Sequence, residues 1–87
     1  MPVSTDELIS EITEIVAEEL GVEVDTVSAD ADLRTVQGAD SVKVLRVIAR
    51  IERARDVELE DEAVFGASTI REVAEVLHRA LAEEARV

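Results

Sequence analysis

The chain contains no cysteine, and Phe65 is its only aromatic residue among 87. Without cysteine there is no disulfide staple, no thiolate nucleophile and no zinc–thiolate site, so stability has to come from packing. With a single ring available, the core must be built from Leu, Ile, Val and Ala, which the 47% hydrophobic content supplies. Long apolar runs are missing too. No stretch is long enough to cross a bilayer, and the first base in the sequence is Arg34, so the N-terminus does not resemble a secretion signal. The expectation is a cytoplasmic protein with no membrane partner. Eighty-seven residues make one domain with a single modest core, too small for a deep catalytic cleft.

Positive charge is scarce and unevenly placed. The formal charge is -12, which argues against nucleic acid as the main partner, since phosphate backbones attract lysine and arginine. Residues 1–32 hold ten acids and no base, residues 33–55 hold six bases and two acids, and residues 56–87 hold nine acids and three bases. The middle third is therefore a +4 block in an acidic chain. Two explanations stand: salt bridging between helices, or a docking surface.

Periodicity predicts four helices and no convincing strand. Ser4 and Glu7 form a capping-box pair, with Val3 and Leu8 at staple positions, and the buried stripe Leu8, Ile12, Ile15, Val16 and Leu20 runs to a stop at Gly21. This predicts a helix over about 5–20. From Val22 to Gln37 the apolar residues alternate weakly, but Asp25, Ser28, Asp30 and Asp32 are turn and cap formers. They favour a long ordered loop anchored by Val24, Val27 and Leu33. A second helix begins at Asp40 or Ser41, with Val44, Val47, Ile48 and Ile51 on one side, Leu45 at its edge, and Lys43, Arg46, Arg50 and Arg53 as a separate stripe. Arg55 would turn back to the apolar face, which places the end near Ala54. A short helix is expected over 61–65, with Val64 and Phe65 as apolar contacts and Gly66 as the stop. Thr69 and Glu72 open a last helix over about 69–83, striped by Ile70, Val73, Ala74, Leu77 and Leu81. The tail from Glu83 is expected to fray. The fold class is all-α, a four-helix bundle with a long first loop and a short third helix, in one domain over 1–87.

The segment Gly38-Ala39-Asp40-Ser41-Val42 puts one serine at the mouth of the second helix. Taken alone, a serine there is commonly a cap. In its full register the sequence resembles the acyl carrier and peptidyl carrier proteins. Asp40-Ser41-Val42 is similar to their Asp-Ser-Leu signature, preceded by Leu33 to Gly38 as in the family's pattern. Ile48 to Glu52, Val57-Glu58-Leu59 and Val64 through Ala74 look like its later helices, so the resemblance covers roughly residues 5–82. It implies that Ser41 bears a 4′-phosphopantetheine arm, attached through its Oγ as a phosphodiester by a separate phosphopantetheinyl transferase. The arm's thiol would hold an acyl, aminoacyl or polyketide chain as a thioester. The reactive sulfur that the sequence lacks would then arrive with the prosthetic group. Asp40 would cap the helix and contact the transferase's magnesium and coenzyme A, and Val42 would face partners beside the arm. The implied protein is a carrier and not an enzyme. It would act as a monomer, loaded by an acyl- or aminoacyl-transferring enzyme and unloaded by synthase or tailoring enzymes.

Three positions depart from the family pattern. Ala39 replaces a larger hydrophobe before the aspartate, Arg55 stands where many members have an aromatic or aliphatic residue, and the second helix is basic where fatty-acid carriers are acidic. Charge complementarity selects partners, so Lys43, Arg46, Arg50 and Arg53 predict neutral or acidic docking sites. This favours a discrete carrier in polyketide or nonribosomal peptide biosynthesis over the general fatty-acid carrier. The stretch from Val64 to Ile70 also looks closer to peptidyl carriers, and the absence of a Pro- or Ala-rich linker favours a free-standing protein. Another class of function remains open: a small acidic helical adaptor using the basic helix without any arm. Other chemistries find no support. Asp30, Asp32 and Gly38 do not form a calcium loop, because Arg34 occupies a ligand position and the central glycine and closing glutamate are missing. His78 is the only histidine, at the edge of the last helix's apolar face, and no acid-oriented base accompanies Ser41 to make a nucleophilic triad.

Overall fold

Ser4, in extended conformation, accepts the N–H of Glu7 on its Oγ at 3.2 Å and starts α1, Thr5–Leu20. Gly21 ends the helix at φ 69, a left-handed position that glycine occupies without a Cβ penalty. The N–H groups of Gly21 and Val22 both point to the carbonyl of Ala17. The computed structural model describes residues 3–35 and 40–84, apart from the side chains of Arg34 and Ser41. The expectations for Gly38 and Ala39, and for the tail beyond Glu84, lie outside the described residues.

The remaining helices are α2, Ser41–Arg55, α3, Asp61–Gly66, and α4, Ile70–Glu84. Between α1 and α2 the chain forms an irregular loop with two single 3-10 turns, Val24–Thr26 and Leu33–Thr35, and no strand among the described residues. The only extended pairing there is an isolated antiparallel bridge between Asp32 and Thr69. The all-α four-helix architecture expected from periodicity is what the chain adopts.

Its core is aliphatic. Leu8, Ile12 and Val16 of α1, Ile51 of α2, and Ile70 and Leu77 of α4 are fully buried, and Val27 and Leu33 tuck the long loop onto them. Each such side chain contributes about 1.5–3 kcal/mol through removal from water. No charged or polar residue is buried among the described ones. The interior of the bundle is therefore apolar.

Four expectations are corrected. The second helix runs one residue past Ala54, because Arg55, half-buried, pairs with Glu11 of α1 through both Nε and Nη2. Asp56 then caps α2 in a left-handed conformation at φ 52, with its N–H and that of Val57 on the carbonyl of Glu52. Val24 is exposed and anchors nothing, leaving Val27 and Leu33 to hold the loop. Phe65 is 74% exposed: Val64 takes the contact with the core, and its neighbour on the short helix points away. Gly66 is not a left-handed stop, since the only positive-φ glycine described is Gly21. It is the last residue of α3, which ends through Ala67 in extended conformation. At α4 the capping box forms in both directions, Thr69 Oγ1 accepting from the Glu72 N–H at 3.1 Å and the Glu72 carboxylate accepting from the N–H groups of Thr69 and Ser68.

Two truncations separate core from surface. Leu77→Ala, at a fully buried position, is expected to cost about 2–5 kcal/mol of unfolding free energy. Phe65→Ala removes a larger side chain and should stay within about 0.5 kcal/mol of the parent. Urea denaturation followed by circular dichroism reads both; equal losses would mean that Phe65 packs on the core.

Candidate functional site

The start of α2 is set by Asp40. Its backbone is extended, its carboxylate accepts the N–H of Lys43 at 2.8 Å, and its carbonyl accepts the N–H of Val44 at 3.0 Å. Ser41 is thereby the first helical residue. With Lys43 satisfied by the cap, the N–H groups of Ser41 and Val42 still have no acceptor inside the helix. They lie at the positive end of the helix dipole, a place chemically suited to a phosphate ester. Asp40 opposes that attraction with its own charge. Lys43 and Arg46, on the first two turns, offset it.

The loop leading to this end is tied from behind. Leu33 donates its N–H to the Ser68 carbonyl at 2.8 Å, and the Arg71 N–H reaches the carbonyl of Ala29 at 3.0 Å. The Arg71 guanidinium also binds Asp30, Nε to Oδ1 at 2.7 Å. That hydrogen bond, and then the charge of Arg71, hold the Asp30 carboxyl below its ordinary range, while Asp30 raises Arg71 in turn. Both side chains are exposed, so the pair orients the loop more than it stabilises the fold.

Around Ser41 the surface is apolar and basic. Val42 is 58% exposed and Leu45 55%, one residue and one turn beyond the serine. Periodicity puts Leu45 at the edge of the buried face, but Val47, Ile48 and Ile51 take that face and Leu45 stands clear of it. Leu45 is exposed where its apolar character suggests core, and Val44 beside it is half-buried.

The basic stripe divides. Arg50 is turned to α1, its Nη2 2.6 Å from Glu18 and its Nη1 3.9 Å from Glu19. With the Arg55–Glu11 pair this shows α1 and α2 running antiparallel and bridged at two levels. Interhelical salt bridging therefore accounts for Arg50. Arg46 and Arg53, seven residues apart on the outward face, are exposed, and Lys43 is half-buried; among the described residues none of the three makes an ion pair. Among the described residues there is no cluster of His, Cys, Asp and Glu able to hold a metal, and no helix is long and apolar enough to cross a membrane. His78 is half-buried on α4.

Comparison with known proteins points the same way as this geometry. The family described as phosphopantetheine attachment site matches residues 10–77. An acyl carrier protein of Prochlorococcus marinus (strain MIT 9515) is 34% identical over 67 residues, covering 77% of this chain and 84% of that protein. Among solved structures, a free-standing peptidyl carrier protein from an uncharacterized secondary metabolic pathway of Acinetobacter baumannii matches with a TM-score of 0.78 at 31% identity, over 90% of this chain and 96% of the other.

The cap itself can be tested. Asp40→Ala removes the acceptor for the Lys43 N–H and should cost about 0.5–2 kcal/mol, whereas Asp40→Asn, which keeps an acceptor oxygen, should lose only a few tenths. Equal urea midpoints for the parent and both variants would show that the cap does not hold the start of α2.

Proposed function

The chain belongs to the phosphopantetheine-attachment family of acyl and peptidyl carrier proteins, and we propose that Ser41 is its arm-bearing serine. Members of this family hold 4′-phosphopantetheine covalently on a serine and are loaded by other enzymes, so the protein is a carrier and not an enzyme. The observation that carries the assignment is the position of Ser41 as the first residue of α2, directly after the Asp40 cap and beside the exposed Val42 and Leu45.

Each neighbour has a separate task in this reading. Asp40 fixes where the helix begins and so where the serine sits, and it is in place to contact a transferase that brings magnesium and coenzyme A. The N–H groups of Ser41 and Val42 receive phosphodiester charge at the helix end. Val42 and Leu45 give a partner enzyme an apolar footing, with Phe65 as a further exposed hydrophobe. When bound, the arm supplies a thiol on which cargo rides as a thioester. Lys43, Arg46 and Arg53 remain available to steer partners with neutral or acidic docking sites, while Arg50 is occupied by α1.

Residues 1–87 act, in this reading, as a single carrier domain working as a monomer in the cytoplasm. The cargo pathway is specialised biosynthesis of the polyketide or nonribosomal peptide kind. Support for that comes from the basic outward face of α2 and from the likeness to a peptidyl carrier of a secondary metabolic pathway. The general fatty-acid carrier is the second reading, favoured by the identity to an acyl carrier protein. Loading trials with aminoacyl- and malonyl-transferring enzymes separate them: preferential aminoacyl loading supports the peptidyl reading, preferential malonyl loading an acyl one.

Coexpression with a broad-specificity phosphopantetheinyl transferase should give an intact mass higher by one arm, and Ser41→Ala should abolish the gain. An unmodified parent would favour an adaptor without an arm; a modified Ser41→Ala would move the site elsewhere. For steering, Arg46→Glu is cleaner than any change at Arg50, which would also break the pairing with Glu18. It should slow loading by the cognate enzyme about tenfold at low salt, with the difference shrinking as salt rises. Unchanged kinetics at low salt would remove Arg46 from the docking surface.

A further inference from the structure

At the end of α2 away from Ser41 lies a groove that the carrier reading meets only at Arg53, on its rim. The C-terminal turn of α2 and residues 57–61 form one wall, and the last two turns of α4 form the other. Its wall is built: Glu52 accepts the N–H of Leu59 on its carboxylate at 2.8 Å, Leu59 is buried, and Asp56 turns the chain through its left-handed cap. The apolar floor consists of half-buried Val57 and Ala63 with Val76 and Ala80, which stand one above the other at four-residue spacing on α4.

The rim carries an unbalanced charge. Seven carboxylates and two arginines line the groove. Among the described residues, Glu58, Glu60, Glu83 and Glu84 are all exposed and none has a cation within ion-pair distance. Glu11 and Glu18 on α1 each meet an arginine of α2, and these four rim acids have no such partner among the described residues. Crowded like charges around an apolar floor leave a potential that a cationic, partly apolar ligand would relieve.

We propose that this groove is a docking site for a basic amphipathic helix of a partner protein. An apolar stripe would rest on Val57, Val76 and Ala80 while flanking Lys or Arg side chains meet Glu58, Glu83 and Glu84, the helix-in-groove mode of recognition. Its net charge is opposite to that of Lys43 and Arg46 near Ser41, with Arg53 bordering both surfaces, so a partner attracted to one is disfavoured at the other. The length of α2 separates the two by about 21 Å. A protein held in the groove therefore leaves Ser41 free to be served by a second protein. This does not depend on the assignment of Ser41.

The test is an amide-resolved NMR titration of the full chain with a synthetic peptide of Leu and Lys in amphipathic helical register, and with its Glu-for-Lys counterpart. Saturable shifts at Val57, Ala63, Val76 and Ala80 are expected for the basic peptide only. Combined Glu58→Lys, Glu83→Lys and Glu84→Lys changes, all at exposed positions that leave the core intact, should weaken its dissociation constant at least about tenfold. Ser41→Ala should leave binding unchanged, and saturating peptide should leave transferase modification of the parent chain unchanged. The proposal is overturned by shifts centred on Val42, Leu45 and Phe65, by unsaturable shifts spread over all acidic surfaces, or by equal binding of the acidic peptide. It is also overturned if magnesium chloride alone gives the same saturable shifts, which would make the groove a cation site, or if the peptide blocks modification.

Discussion

The packing of α2 on α1 is the contact on which the rest depends. Val47, Ile48 and Ile51 of α2 and Leu8, Ile12 and Val16 of α1 lie buried in the same aliphatic cluster. Rotating α2 would exchange which of its residues see solvent. In the observed rotation Arg55, four residues after Ile51, falls on the seam and is tolerated because Glu11 is there to meet it. Arg50 falls on the flank and meets Glu18. Arg46, Arg53, Val42 and Leu45 are what remains outside. The exposed face of α2 is thus the complement of the core, fixed by the same burial.

Two independent devices act around the start of α2. Asp40 sets the first residue of the helix from within. The bonds of Ala29, Asp30 and Leu33 to Ser68 and Arg71 fasten the preceding loop to the α3–α4 junction, so the approach to α2 is tied to the far side of the bundle. These are backbone and surface contacts of small individual worth, but they act on a loop whose buried anchors, Val27 and Leu33, already limit its freedom. Their effect is positional.

Helix positions were legible because their signals are local. Ser4 with Glu7, Gly21, Asp40, and Thr69 with Glu72 each act through a hydrogen bond or φ value within a few residues, and the aliphatic stripes have the right period. What could not be read is non-local. Whether Phe65 faces in or out depends on how a six-residue helix lies against α4, and hydrophobicity alone favours the wrong answer. The same holds for Val24 and Leu45. The charge block shows the limit differently: its sum was plain in the composition, but the partition into bridged Arg50 and Arg55 and outward Arg46 and Arg53 required knowing where Glu18 and Glu11 would stand.

Exposing Val42, Leu45 and Phe65 on a chain this small carries an aggregation hazard. They are not buried in this fold, so the compensation has to lie elsewhere. The formal charge of -12 supplies it, since two copies repel over about a Debye length before their apolar residues can touch. Most of that negative charge lies on α1, α3 and α4 and their junctions, while the outward face of α2 is basic. Two copies meeting acidic side to acidic side are repelled, whereas the outward face of α2 contributes no negative charge to that repulsion. The total charge keeps copies apart at long range, and its distribution leaves the outward face of α2 as a basic side on an acidic chain.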